Sequence, residues 1–415
     1  MQLALRTSHF RLLLISLVAI WLFLVVFQQV CDVWDETDLL LNNLTAPSTL
    51  ELLGFLWTHS IYFYRPLGAS VVGLATRLLD YEVAWRVLRL VNAAMLLAAL
   101  ASLLMVVRKW NGIDRTRDLL VATLFLFSGS AFITTGWFPV IFDAGVVLLL
   151  ATGLLALTHN RPLIAGFLMG IAFLFKENAA MAVPLLVGAW LMGKIDTRAM
   201  CKSLLVLVPI GGLYWLQRSN LIPLGSAQDI HGFQFERLAP TALGWFQSFW
   251  YQSVSQLGLP NVGLVWLPLS LAFFRERKAL ISALLLVATP VFLYWGMFGF
   301  YRNDLLMTAA HFQGRFYLVP AALLLFWLAV WGKRAVLVVL LLPVLLGAAR
   351  TYTDHLKFQK AYARIYELRN TMAAPTVHYP EKPLNDWRRG LRIGDYPDAA
   401  YRVDPQTGAL VRQRP

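Results

Sequence analysis

Apolar stretches recur along the chain from Leu12 to Arg350, with short polar segments between them. Each is about 15–25 residues long, the length over which an α-helix crosses the hydrocarbon core of a bilayer. Only helices and closed barrels satisfy their backbone hydrogen bonds in lipid. The pattern therefore predicts an all-α polytopic membrane protein with about eleven transmembrane helices. The predicted spans are Leu12–Val30, Val83–Val107, Leu119–Thr135, Val140–Leu157, Pro162–Phe175, Ala179–Met192, Ser203–Trp215, Val262–Phe274, Ala279–Phe298, Tyr317–Val330 and Ala335–Ala349.

The composition changes this picture little. Hydrophobic residues make up 58% of the 415 residues and charged residues 14%, whereas soluble domains are typically about 45–50% apolar. The formal net charge is +13, but Lys and Arg cluster at the ends of apolar runs instead of forming one stripe. This distribution argues against nucleic acid and favours membrane lipids as partners.

Basic residues between the spans predict the orientation of the protein, because short loops rich in Lys and Arg face the cytoplasm. The apolar run after Arg6 and Arg11 has the flank of a signal peptide, but Phe27–Val30 lacks small residues for cleavage, so we expect a retained first span. All the basic segments fall on one side, which places the N-terminus in the cytoplasm and the C-terminus outside. They are the N-terminus, Arg108–Arg117, Arg161, Lys194–Lys202, Arg275–Lys278 and Lys333-Arg334.

The opposite side carries the longer segments, among them the first external loop, residues 31–82, and a polar tail, residues 351–415. In the first loop, Leu39–Leu56 and Arg65–Leu79 are amphipathic and predict helices that lie along the membrane surface. Long external segments indicate a reaction or binding surface on that face. We therefore divide the chain into a transmembrane domain, residues 1–350, and a short extracytoplasmic tail.

Four carboxylates follow the first predicted span directly: Asp32, Asp35, Glu36 and Asp38. They have two interpretations. A solvated collar at a helix end explains them without any chemistry. Alternatively, mutual repulsion raises the pKa of one member, which suits a base that removes a proton from an acceptor.

Two cationic motifs fall on the same predicted face. Arg65 stands between Tyr64 and Pro66 and offers a planar fork of donors for phosphate or carboxylate; alternatively, it is an interfacial arginine that snorkels among aromatic rings. Lys176 and Glu177 stand between two apolar runs. Lys176 would supply a point charge for a phosphate, with Glu177 holding it in place, or the two would form an ion pair that closes a helical hairpin.

A further motif, with His311, Arg315 and Tyr317, leads into the tenth predicted span. Arg315 is the better candidate for binding, because no second His or Cys lies at metal-ligand spacing from His311. Carboxylates and cations on one face suit a phosphate leaving group, and no nucleotide-binding or hydrolase motif is present. We predict no metal site, although Mg²⁺ or Mn²⁺ held by carboxylates and water stays open as a cofactor.

In their order and sidedness, these motifs resemble the GT-C superfamily of membrane glycosyltransferases, especially its protein O-mannosyltransferase and lipid A aminoarabinose transferase branch. The family has an acidic pair after the first span, as in Asp35-Glu36, and a Tyr-Arg-Pro-Leu element, as in Tyr64–Leu67. Its Lys-Glu element followed by an apolar run to a proline is similar to Lys176–Pro184, and its Arg-aromatic-Tyr-Leu-x-Pro element to Arg315–Pro320. The chain departs from the family pattern at Thr37 and Asp38 and in its lack of a large external domain.

The resemblance implies a GT-C-like catalytic domain in a bacterial inner membrane, with its active site facing the periplasm. The donor would be a polyprenyl-phosphate-linked sugar, and the acceptor a protein, lipid A or a polysaccharide. Asp35 would be the general base, Glu36 would orient it or the acceptor, and Arg65, Lys176 and Arg315 would neutralise the lipid phosphate. Tyr64, Glu177, His311 and Tyr317 would support them. A lipid-linked sugar flippase or secondary transporter is the main alternative, and a non-catalytic assembly partner a third.

Overall fold

The structure is a computed structural model and is described for most of the chain up to residue 221 and for shorter parts beyond it. The described residues are 7–27, 48–58, 64–79, 81–128, 131, 141–221, 235–236, 238–239, 242, 276–298, 318–332, 334–349, 352, 401–403 and 410–412. The predicted span Val262–Phe274 lies outside them.

The described part of the chain is almost entirely helical, as the sequence predicted. Its helices are α1 (Thr7–Leu22, continued by a π-helical turn, Phe23–Phe27), α2 (Thr49–Thr58), α3 (Pro66–Leu78), α4 (Tyr81–Asn111), α5 (Arg115–Phe127), α6 (Ile141–Thr158), α7 (Pro162–Ile171), α8 (Ala182–Leu191), α9 (Thr197–Leu221), α10 (Arg277–Phe298), α11 (Leu318–Trp331) and α12 (Arg334–Ala349). A short antiparallel hairpin pairs β1 (Tyr401–Val403) with β2 (Leu410–Arg412).

Apolar side chains cover the outside of the helices, and this makes the chain an integral membrane protein. On α9, Leu205 is 70% exposed, Leu213 66% and Leu216 61%, a pattern that lipid would stabilise and water would not. Four described helical segments are long and apolar enough to cross a bilayer: Thr7–Val26, Arg86–Asn111, Ile141–Thr158 and Thr197–Leu221. Five shorter apolar helices accompany them in the described residues. The predicted total of about eleven spans stays a prediction.

Two pairs of parallel helices form much of the bundle. In each pair, the helix that lies between the two members in sequence runs in the opposite direction. Leu88 near the start of α4 packs with Ile141 and Phe142 at the start of α6. At their other ends both helices approach the start of α9, where Lys194 donates to Trp110 and Ser203 to Pro162, so α4 and α6 run in the same direction. In the second pair, Gly166 and Gly170 of α7 lie against Ser203 and Ile210 of α9. Because a Cβ atom at either glycine would collide with α9, the close approach of α7 and α9 requires glycine there.

One end of the bundle, which we call the basic end, collects the loops that the sequence analysis assigned to the cytoplasm. Arg108 of α4 contacts Asp118 of α5 at 2.7 Å, and Arg334 of α12 contacts Asp114 at 2.6 Å. Lys194, in the loop between α8 and α9, donates to the Trp110 carbonyl at 3.2 Å. The prediction that these loops lie together is confirmed for these residues; which membrane face they occupy stays a prediction.

The two helices of the first loop pack on each other at the opposite end, which we call the site end. Trp57 of α2 donates its indole N–H to the Ser70 hydroxyl of α3 at 3.0 Å, and Leu52 lies against Gly73. Pro66 occupies the first turn of α3, where its missing N–H removes no helical hydrogen bond. The bounds of the predicted helix Arg65–Leu79 are confirmed within a residue at each end. Of the predicted helix Leu39–Leu56, residues 49–56 lie in a described helix. That the two helices lie along the membrane surface stays a prediction.

Candidate functional site

Arg65 and Glu177 form a two-point ion pair at the site end. Arg65 donates from Nη2 to Oε1 of Glu177 at 2.7 Å and from Nε to Oε2 at 3.3 Å. Glu177 is 4% exposed, so its charge has little water to stabilise it. A fork-to-carboxylate contact of this kind fixes both position and orientation of the guanidinium.

A second, deeper ion pair joins Lys176 to Asp143. The Lys176 ammonium lies 2.7 Å from both carboxylate oxygens of Asp143, and the Asn178 amide approaches one of them at 3.4 Å. Lys176 is 3% exposed and Asp143 1%. Charges so deeply buried are rare in membrane proteins and mark functional positions by default.

The backbone between α7 and α8 explains why adjacent residues have different partners. A 3-10 turn, Ala172–Leu174, ends α7, and a second one, Glu177–Met181, leads into α8. Between them Lys176 is extended, with φ −167° and ψ 150°. Successive side chains of an extended backbone point to opposite sides, so Lys176 contacts α6 while Glu177 contacts the residue before α3.

Aromatic rings separate and support the two ion pairs. The Arg65 guanidinium carbon lies 5.5 Å from the centre of the Phe142 ring, which stabilises a cation with little water around it. Phe142 packs on Gly68 of α3, and Phe175 packs on Gly145 of α6. A Cβ atom at either glycine would collide with these rings, so the charged groups approach one another only because both positions lack a side chain.

Helix α9 closes the site through Tyr214 and Arg218. The Tyr214 hydroxyl donates to the Tyr64 carbonyl at 3.0 Å, and the two rings stack 5.7 Å apart. Arg218 lies one turn further along α9, is 2% exposed and sits 5.2 Å over the Trp215 ring. Its charge lies near enough to Glu177 for the two to interact.

The structure brings together four of the predicted site residues: Tyr64, Arg65, Lys176 and Glu177. One predicted contact is wrong: the carboxylate that holds Lys176 is Asp143, while Glu177 binds Arg65. The extended backbone at Lys176, described above, is the physical reason. The remaining predicted residues lie outside the described residues: Asp35, Glu36, His311, Arg315 and Tyr317.

Sequence reasoning missed Asp143 and Arg218. Each is a lone charge close to one end of an otherwise apolar run, and the rarity of such charges in membrane helices was the available signal. With them the described cluster has three cations, Arg65, Lys176 and Arg218, and two carboxylates, Glu177 and Asp143. Within the described residues, no group of three His, Cys, Asp or Glu side chains could hold a metal ion.

Comparison with known proteins finds one distant structural similarity. No family model and no curated protein sequence matches the chain. The crystal structure of ArnT from Cupriavidus metallidurans bound to undecaprenyl phosphate aligns with 88% of this chain and 73% of its own, at 14% identity and a TM-score of 0.45. That score is too low to establish a common fold.

Proposed function

We propose that the protein is a membrane glycosyltransferase that takes a sugar from a polyprenyl-phosphate donor on the extracytoplasmic face. The observation that carries the proposal is the buried cluster at the site end, where Arg65, Lys176 and Arg218 lie together with Glu177 and Asp143. Cations fixed in a water-poor environment stabilise negative charge that develops on a leaving group. The phosphate of a lipid carrier is such a leaving group and is delivered from the bilayer.

In the proposed reaction, a nucleophilic O–H or N–H group of the acceptor attacks the anomeric carbon of the donor sugar. The bond between that carbon and the phosphate oxygen breaks, and the bonding electrons leave with the polyprenyl phosphate. Asp35 accepts the acceptor's proton, and Glu36 orients the base or the acceptor. Arg65, Lys176 and Arg315 neutralise the departing phosphate, a role that the family resemblance supports.

The position of the charges favours this reaction over transport. Secondary transporters bind their substrates near the bilayer midplane, at broken helices related by internal repeats. Here Asp143 is the third residue of α6, and Arg218 stands one turn before the end of α9. The cluster therefore lies at one end of the bundle, and the sequence contains no internal repeat. A site at one face suits an acceptor that arrives from water.

Asp35→Asn tests the proposal because it removes the basic charge while nearly keeping the side-chain shape. Membranes with the wild type or the variant would receive labelled polyprenyl-phosphate sugars, with release of polyprenyl phosphate and labelling of the acceptor as readouts. We expect roughly a hundredfold slower transfer, since a positioned base contributes about that much. Glu36→Gln should reduce transfer less.

Asp32→Asn and Asp38→Asn are the matched controls, since they change the same group in the same segment. Protein abundance in the membrane should be equal in all variants. Full activity of Asp35→Asn with an inactive neighbour would move the base to that neighbour. Full activity of all four single variants would reject the transferase in favour of the transporter.

A further inference from the structure

Arg218 differs from the other cations of the cluster in how its donors are used. Arg65 gives two N–H donors to Glu177, and Lys176 lies against both oxygens of Asp143. The Nε and Nη1 atoms of Arg218 are buried and have no hydrogen-bond partner among the residues that the structure describes. Arg218 therefore has donors to offer a ligand.

Burying a guanidinium in this way is unfavourable for the protein alone. Buried charged groups normally have an ion-pair partner or a full set of hydrogen bonds, because desolvation is otherwise uncompensated. The Trp215 ring covers one face of the guanidinium and stabilises the charge but accepts no hydrogen bond at Nε or Nη1. An anion that binds during function would supply the acceptors.

The surroundings of Arg218 point to the same site as the other two cations. Tyr214, one turn earlier on α9, is hydrogen-bonded to the carbonyl of Tyr64, the residue before Arg65. The Arg218 charge also interacts with Glu177, the partner of Arg65. Arg218 consequently borders the Arg65–Glu177 pair from the α9 side.

We propose that Arg218 directly binds the phosphate of the polyprenyl donor, while Arg65 and Lys176, held by Glu177 and Asp143, act on the phosphate through their charge. This inference rests on the proposed function and assigns its phosphate contact. The planar fork of an arginine suits two oxygens of one phosphate. The same chemistry would recognise free phosphate, so the experiment must separate the two.

The test is equilibrium binding to the purified full-length protein in lipid nanodiscs, with three probes: a polyprenyl monophosphate, the matching polyprenol and inorganic phosphate. We expect the wild type to prefer the polyprenyl monophosphate. Arg218→Gln should weaken its binding about ten- to hundredfold, the loss expected for charge-assisted hydrogen bonds. Arg218→Lys keeps the charge but not the planar fork, so its affinity for polyprenyl monophosphate should lie between those of the wild type and Arg218→Gln.

Arg198→Gln is the matched control, because Arg198 is an exposed arginine in the first turn of the same helix, at the basic end. It should bind all three probes as the wild type does. Without ligand, Arg218→Gln should melt at or above the wild-type temperature, since the substitution removes a buried charge whose Nε and Nη1 have no hydrogen-bond partner among the described residues. A melting temperature several degrees lower would make Arg218 a structural residue and overturn the inference.

The remaining outcomes separate the inference from the proposed function. Unchanged binding of polyprenyl monophosphate to Arg218→Gln would overturn the role of Arg218 and leave the lipid donor standing. If the wild type does not distinguish polyprenyl monophosphate from polyprenol, the donor itself is rejected. Binding of inorganic phosphate through Arg218 without that preference would assign the site to a free anion and also reject the lipid donor.

Discussion

Asp143→Asn should be among the more destabilising conservative substitutions in this protein. In the wild type, both oxygens of Asp143 lie 2.7 Å from the Lys176 ammonium. The amide leaves one oxygen to accept a hydrogen bond but removes the negative charge. Lys176, 3% exposed, would then remain buried with Arg65 as a repelling neighbour.

The expected loss in free energy of unfolding is about 3 kcal/mol, at the low end of the range for breaking a buried ion pair, because one hydrogen bond survives. The comparison variant is Asp114→Asn at the basic end. Asp114 pairs with Arg334, whose side chain is 49% exposed, and caps α5 through the Arg117 N–H at 3.2 Å. Asparagine keeps the cap, so the substitution removes the pair with Arg334 and a loose pair with Arg117 at 3.8 Å, with an expected effect of about 0–1 kcal/mol.

Both variants can be measured by SDS titration in mixed micelles, with helix content as the readout. Asp143→Leu combined with Lys176→Met should recover much of the loss, since a buried pair is often replaceable by apolar residues of similar volume. Equal stability of Asp143→Asn and Asp114→Asn would refute the reasoning. It would mean that water or lipid headgroups stabilise Lys176 and that the site end is solvated.

Two further predictions concern topology and packing. Reporter fusions should place Arg108–Arg117 and Arg275–Lys278 in the cytoplasm and the C-terminus outside; a cytoplasmic C-terminus would contradict the assigned faces. Gly145→Ala should destabilise the protein by about 1–3 kcal/mol in the same titration, because the new methyl group collides with Phe175. Gly212→Ala on α9, where a Cβ atom meets nothing within 4 Å, should be neutral or stabilise by up to about 1 kcal/mol; equal effects of the two would reject the packing argument.

The helices were the predictable part of this fold. Long apolar runs leave the backbone little choice in lipid, so α4, α6, α7 and α11 begin and end within about four residues of the predicted bounds. Helix α9 was predicted as Ser203–Trp215 but extends over Thr197–Leu221. Its polar ends remain helical because backbone hydrogen bonding continues past the apolar core. Since the predicted span ended at Trp215, Arg218 was assigned to the following loop.

The site was predictable in its residues but not in its contacts. Arg65, Lys176 and Glu177 stood out because charges between apolar runs are unusual. Their partners depend on how α6 is rotated about its axis and on the extended backbone at Lys176, and neither follows from periodicity. Asp143 and Arg218 are single charges that only the packing of α6 and α9 connects to the motifs.

The parallel pairing of α4 with α6 and of α7 with α9 sets an order for assembly during synthesis. Each pair joins helices that are separated in sequence by a third helix. The first helix of each pair therefore lies in the membrane without its partner until the second helix has left the ribosome. The buried charges come from α6, from the break between α7 and α8, and from α9. A nascent chain therefore delivers Lys176 and Glu177 to the membrane before Arg218, and the described part of the charged cluster is complete only after residue 221 has been inserted.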